Sequence, residues 1–259
     1  YLKQNELLFL GTGAGDWING DGIRYLPHRL CSSVLINKEI LIDCGPHVFA
    51  SANELGDENL YSDLKHVLIT HRHVDHFNAD NLEKLATQKK VDVACDKFTQ
   101  KLVKNTDNIS FVSLPMFKKA QLGDYEIIAL PANHDVRGGG RNASHFIIIT
   151  PDKKELFYGL DGAWFSNDEW MVMKKHKFDV VVLDCTLGNA NDHRMFEHNN
   201  IDMTRAIAAE IRRQDLLNPD GVIIGSHFAR TLNRSQTITK QTLKRFNVIA
   251  AEEGMKIAF

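Results

Sequence analysis

The stretch from Leu64 to Asn78, LKHVLITHRHVDHFN, constrains this chain more than any other. A largely apolar, β-branched run (Val67, Leu68, Ile69, Thr70) stops abruptly in His71, Arg72, His73, Val74, Asp75 and His76, at the point where a buried strand leaves the core. Period-two spacing sets His71 and His73 on one side of the exiting chain, while Asp75 and His76 follow a turn and reach a second point close by. Imidazole and carboxylate are the ligand types that hold zinc and similar divalent ions, at roughly 2.0–2.2 Å. A lone histidine is ordinarily a hydrogen-bonded surface or core residue. Three of them with a carboxylate in six positions are different, because such groups repel or need separate partners unless a cation gathers them.

The same pattern recurs down the chain. Tyr125 to Leu130 (YEIIAL) is strand-like and delivers Pro131-Ala132-Asn133-His134, which makes His134 the natural third histidine beside His71 and His73. Glu155 to Leu160 ends in Asp161-Gly162; a carboxylate has two oxygens and can bridge two cations, so Asp161 reads as a shared ligand. Phe178 to Leu183 is apolar but for Asp179, a strand expected to be buried on both faces, and closes in Asp184-Cys185-Thr186. Val222 to Ile224, after the turn Asn218-Pro219-Asp220-Gly221, ends in Gly225-Ser226-His227. Ile40 to Ile42, the second arm of a hairpin from Ser33, ends in Asp43, which either accepts from an imidazole and fixes its tautomer or simply forms the turn. Candidate ligands thus stand just beyond the C-terminal ends of short strands, where α/β sheets carry their sites.

On these residues the chain resembles the metallo-β-lactamase fold hydrolases, whose signature is H-x-H-x-D-H directly after a strand. The resemblance runs through nearly the whole chain. It implies an α/β, four-layer αβ/βα sandwich in one domain over residues 1–259, with a dinuclear site at the strand ends. It further implies one metal held by His71, His73 and His134, a second by Asp75, His76 and His227, and Asp161 shared between them. The opening FLGTGAG is similar to the first strand and loop of the phosphodiesterase-like branch, and HNNIDMT, with His198 just before a helix, to a segment of the phosphoribosyl cyclic phosphodiesterases. That branch often carries a cysteine-rich, zinc-binding insertion after the first loop; here Cys31 stands alone, a departure that bears on the substrate.

The chemistry follows from the metals. A water between two cations has its pKa lowered toward neutrality and becomes a hydroxide nucleophile, and the cations neutralise charge on a phosphoryl oxygen. A histidine outside the ligand set can protonate the leaving alkoxide; His198 is that candidate, with His193 and His145 as weaker alternates. Asp75 and His198 are the catalytic candidates. Nitrogen and oxygen ligands without thiolate suit zinc, manganese or iron, and zinc or manganese is what the family implies. Arg137 and Arg141, in a glycine-rich turn, either clamp a phosphate bidentately or tip a solvated hairpin. The loop from Asp16 to Arg29, with Trp17 and Tyr25, either walls the pocket or lies on the surface.

The expected reaction is hydrolysis of a small cyclic or nucleotide-like phosphodiester. A nuclease similar to the tRNA 3′-processing enzymes is the nearest alternative; nucleic acid is not favoured as a partner, since no long basic arm is found and the formal charge is −2. Thioester or lactone hydrolysis and a non-catalytic metal-binding role are the remaining readings; a flavo-diiron role is disfavoured by His73, where that branch has glutamate. No apolar run approaches the ~20 residues that span a bilayer, no signal-peptide pattern opens the chain, and the four cysteines show no C-x-x-C pair. A cytoplasmic, reduced setting is expected, without a membrane partner, and a homodimer is left open. Glycines 11, 13 and 15 read as a tight turn with positive φ rather than a phosphate loop. Helices are expected over Pro46–Leu55, Asp80–Leu85, about 202–213 and about Ile238–Glu253, with MKIAF as a closing strand. The region 86–122 offers no recognisable chemistry.

Overall fold

Alternation along the first strand shows how the layers arise. In β1 (Glu6–Gly11), Leu7 and Phe9 join the core shared with the second sheet, while Leu8 and Leu10 join a separate core under helices. A strand with apolar residues on both faces must be covered on both, which calls for a sandwich with helices outside. The computed structural model, which describes residues 4–18, 28–87, 89–136 and 143–259, has that architecture.

The first sheet also holds β2 (Ser33–Ile36), β3 (Ile40–Ile42), β4 (His66–Leu68), β5 (Val91–Ala94) and β6 (Ile109–Val112). The second holds β7 (Lys119–Leu122), β8 (Tyr125–Pro131), β9 (Ser144–Ile149), β10 (Glu155–Gly159), β11 (Phe178–Asp184), β12 (Leu217–Ser226) and β13 (Ile249–Ala250), while β14 (Lys256–Ala258) returns to pair with β1. The two orders are β14-β1-β2-β3-β4-β5-β6 and β13-β12-β11-β10-β9-β8-β7. From β3 to β6, and from β10 to β13, neighbours are parallel, so their C-terminal ends lie on one rim in each sheet. Helices α1 (Val48–Leu55) and α2 (Ala79–Leu85) cover the first sheet through Val48, Leu82 and Leu85. After α3 (Lys97–Gln100) and α4 (Asn167–Met173), helices α5 (Ile201–Arg213) and α6 (Gln236–Lys244) pack on the second sheet through Ile207, Ile211 and Leu243. Among the described residues no helix is long and apolar enough to cross a membrane.

Three expectations need correction. The last helix ends at Lys244, well short of Glu253: Asn247 turns left-handed (φ 55°), Val248 N–H donates to Leu243 O at 3.1 Å, and the apolar run that follows is drawn into the sheet as β13, where Ile249 pairs with Ile224. Asn218-Pro219-Asp220-Gly221 is not a turn before a strand but lies inside β12, taken up by a register shift opposite Phe178 and Val180. Gly11, Gly13 and Gly15 have no positive φ. Gly11 is needed for space instead, since a Cβ there would stand 2.0 Å from the Cys31 carbonyl oxygen. Gly15 lies against the site, a Cβ there meeting the Asp75 carboxylate at 3.2 Å.

Candidate metal centre

Each strand end delivers its side chain to one buried spot. His71, His73, Asp75 and His76 follow β4, His134 follows β8, Asp161 follows β10 and His227 follows β12. His71, His73 and His134 bring ligand atoms within 4.8 Å of one another, as do Asp75, His76 and His227, and as do His71, His76 and Asp161. Asp161 and His227 hold left-handed backbones (φ 53° and 65°), the local strain that turns both side chains inward at the rim.

The inward atoms are fixed by what grips the other side of each ring. Asp43 Oδ2 is 2.6 Å from His76 Nδ1, and the carboxylate also accepts from Thr70 N–H at 2.7 Å and from the Thr70 hydroxyl. With its hydrogen committed to Asp43, that hydroxyl oxygen takes the proton of His71 Nδ1 at 3.0 Å. The device appears a second time. Asp184 accepts from Thr186 N–H and Oγ1–H at 3.0 and 2.9 Å, and the Thr186 oxygen stands 2.7 Å from His227 Nδ1. His71, His76 and His227 therefore turn Nε2 inward.

Those inward atoms fit divalent cations. His76 Nε2 and His227 Nε2 face each other at 3.1 Å, and His134 Nε2 faces His73 Nδ1 at 3.1 Å. His71 Nε2 is buried with no hydrogen-bond partner, and Asp161 Oδ2, also buried, lies 2.5 Å from His76 Nε2 and 3.3 Å from His227 Nε2. The carboxylates of Asp43, Asp75, Asp161 and Asp184 are all buried, and among the described residues their ion-pair partners are histidines alone. Buried anions and crowded ring nitrogens are costly by themselves and are both relieved by cations, which take nitrogen and oxygen ligands.

Electrostatics divides the cluster in two. Burial, then neighbouring His76, pushes the His71 pKa well below the ordinary histidine value, and burial lowers His73 and His134 as well, so this trio is neutral. Burial also favours neutral His76, but Asp161, Asp75 and Asp43 outweigh it and hold its pKa well above the usual value. Burial favours protonated Asp161, yet His227 and His76 outweigh it and keep it ionised. The second group is thus the anionic one.

His198 joins the cluster and the alternates do not. Its Nδ1 lies 3.0 Å from Asp184 Oδ2 and 3.5 Å from Asp161 Oδ1, and with Asp161, Asp184 and His227 it forms a further group of donors within 4.8 Å. Burial favours its neutral form, but Asp184, with Asp161 and Glu197 behind it, raises its pKa to about 9. His193 is exposed beside Asp192. His145 is buried away from solvent, its Nδ1 2.7 Å from Glu169 and its ring edge-on to Phe157 and Phe165, which rules it out as a proton donor to a substrate. Arg137, Arg141 and Tyr25 lie outside the described residues, as does the side chain of Trp17. Sequence reasoning missed Asp184, Thr186 and Glu197, the last 3.5 Å from His134 Nδ1. The strand-end position of Asp184, matching Asp43, was the available signal.

The family model for the beta-lactamase superfamily domain matches residues 38–217, and the chain belongs to that family. No curated protein matches the sequence. Among solved structures, the chain is similar to a diphosphatase from the PhnP family (17% identity, 98% of each chain covered, TM-score 0.75). It is also similar to the metallo-beta-lactamase fold protein YhfI from Bacillus subtilis (15% identity, 99% of this chain and 100% of that one, TM-score 0.74). A third is zinc-bound PqqB from Methylobacterium extorquens (13% identity, 98% and 100%, TM-score 0.72). At these identities the likeness shows the fold, which is the metallo-β-lactamase fold.

Proposed function

We propose that this protein is a dinuclear metal-dependent hydrolase that cleaves a small phosphodiester, cyclic or nucleotide-like. The observation that carries the reading is the place of Asp161 between the two groups: its carboxylate clusters with His71 of the neutral group and lies 2.5 Å from His76 and 3.3 Å from His227 of the anionic one. His71, His73 and His134 would hold one cation and Asp75, His76 and His227 the other, with Asp161 common to both; zinc or manganese suits the donors, and iron is the third candidate. Two such cations supply a water of lowered pKa and neutralise charge developing on the phosphoryl group.

The chain's own residues supply the rest. Asp43 and Asp184 hold the rings of His76 and His198, and Thr70 and Thr186 those of His71 and His227, so no reorganisation is left for the moment of reaction. His198, pinned through Nδ1, keeps its proton at neutral pH and can release it from Nε2 to the departing oxygen. A leaving alkoxide needs such a donor and a leaving thiolate does not, which favours an oxygen ester over a thioester. The fold shared with a PhnP-family diphosphatase is in keeping with phosphoryl chemistry.

The test compares turnover of bis(p-nitrophenyl) phosphate with that of a thioester and a lactone by protein loaded with zinc or manganese. Faster diester cleavage is expected. Absence of diesterase activity with both cations bound overturns the reading.

A further inference from the structure

Four rings at the centre are held from behind by an oxygen: His76 by Asp43, His71 by Thr70, His227 by Thr186 and His198 by Asp184. His134 has no such bond. Its Nδ1 is buried without a hydrogen-bond partner, while its Nε2 faces His73 Nδ1 at 3.1 Å. The oxygen that stands at that Nδ1 is Oε2 of Glu197, at 3.5 Å, within reach of an ion pair and just past the length of a good hydrogen bond. The same oxygen is fixed from its other side, accepting from Asp135 N–H at 3.3 Å, one position beyond His134. Arg194, in the same segment, donates to Asp192 through Nε and Nη2, so among the described residues the ion-pair contact of Glu197 is His134.

This contact closes a lacing of three loops around the centre. Asn133 Nδ2 donates to Ala163 O at 2.8 Å and Ala163 N–H to Asn133 O at 3.3 Å, which joins the loop of His134 to that of Asp161. Trp164 N–H donates to Asn199 Oδ1 at 3.1 Å, which joins the loop of Asp161 to the segment of His198. Glu197, the neighbour of His198 in the chain, forms the third side, back to the loop of His134. It is the one charged tie of the three, and it ends on a candidate ligand.

A neutral imidazole carries its proton on one nitrogen or the other. An anionic oxygen at Nδ1 is repelled by a lone pair there and attracted by N–H, so Glu197 selects the form with hydrogen on Nδ1. Resting on the metal-centre reading above but on no particular substrate, we propose that Glu197 is the positioning residue of His134: its carboxylate keeps the proton on Nδ1 and Nε2 free for the first cation, and by the same contact ties the segment that carries His198 to that cation's site.

The test begins without metal. Ring-nitrogen NMR shifts of metal-free wild-type protein at mildly alkaline pH should show His134 protonated on Nδ1; protonation on Nε2 overturns the proposal. Glu197→Ala should give a mixture of the two forms, and Glu197→Gln should keep the wild-type one, because Asp135 N–H holds an oxygen at that place. A role confined to bracing the loop would lower the melting temperature of Glu197→Ala and leave the tautomer as it was, which also overturns the proposal. Calorimetric titration of zinc into stripped protein gives the second readout. Glu197→Ala should weaken the cation of His71, His73 and His134 about 10- to 100-fold, with the other cation and both cations of Glu197→Gln within about threefold of wild type. Wild-type affinity in Glu197→Ala, or equal weakening of both cations, overturns it. If zinc does not bind wild-type protein, the metal-centre reading fails, and the tautomer of His134 still decides what Glu197 does.

Discussion

Replacing Asp43 by asparagine isolates what the outer carboxylate does for the metal centre. The backbone there is left-handed (φ 65°), a region asparagine enters readily, so the exchange adds no strain. The side chain keeps its shape but loses one acceptor. With its oxygen toward Thr70 N–H, where Asp43 accepts at 2.7 Å, the new amide points N–H at His76 Nδ1–H across a 2.6 Å gap. Flipped, it sets the same clash against Thr70. The remaining escape is for His76 to move its proton to Nε2, the atom that faces His227 at 3.1 Å, and a protonated nitrogen cannot bind metal. Leaving a buried donor unmet costs about 1–3 kcal/mol, and outer-shell changes of this kind lower metal affinity roughly 10- to 100-fold. Asp43→Asn should therefore weaken the cation held by His76 by one to two decades and affect the site of His71, His73 and His134 less. Calorimetric titration of metal into stripped protein resolves the two steps. Two steps of wild-type affinity, or equal weakening of both, would refute the reasoning.

Four further outcomes are expected. Because the folded-state pKa of His198 is raised to about 9, the rate that needs its proton should hold below that pH and fall above it. The stabilisation from its pair with Asp184 should be complete below the unfolded value of about 6.5 and fade as pH rises through the folded one. Asp184→Asn should move the alkaline limb of kcat/KM down by about one pH unit or more, read from pH–rate profiles, since that carboxylate is its main charged neighbour. Gly162→Ala should place a methyl 2.5 Å from His145 Nε2, in a ring held by Glu169 and two phenylalanines; such overpacking costs about 1–3 kcal/mol and should appear as a melting temperature lower by several degrees.

Much of the candidate centre was legible because the residues that cluster there are local to strand ends. Apolar runs stopping in histidine or aspartate marked His71, His73, His134, Asp161 and His227, and the two-faced apolar pattern of β1 and β11 called for covered sheets. What stayed hidden was non-local. Asp184 looks like any aspartate after a strand until the fold sets it 3.0 Å from His198, fourteen positions on. The region 86–122 looked silent because β5 and β6 extend the first sheet beside β4 and bring no residue to the cluster. The early stop of α6 and the unbroken β12 reflect sheet pairing overriding local preference, as Ile249 and Val222 find partners in Ile224 and Val180.

The paired-cation centre is tested most directly by an anomalous-difference map from crystals of zinc- or manganese-loaded protein. Two peaks are expected about 3.5–4 Å apart, one enclosed by His71, His73 and His134, the other by Asp75, His76 and His227, with an oxygen of Asp161 touching each. A single peak, or metal bound away from these side chains, would contradict the account.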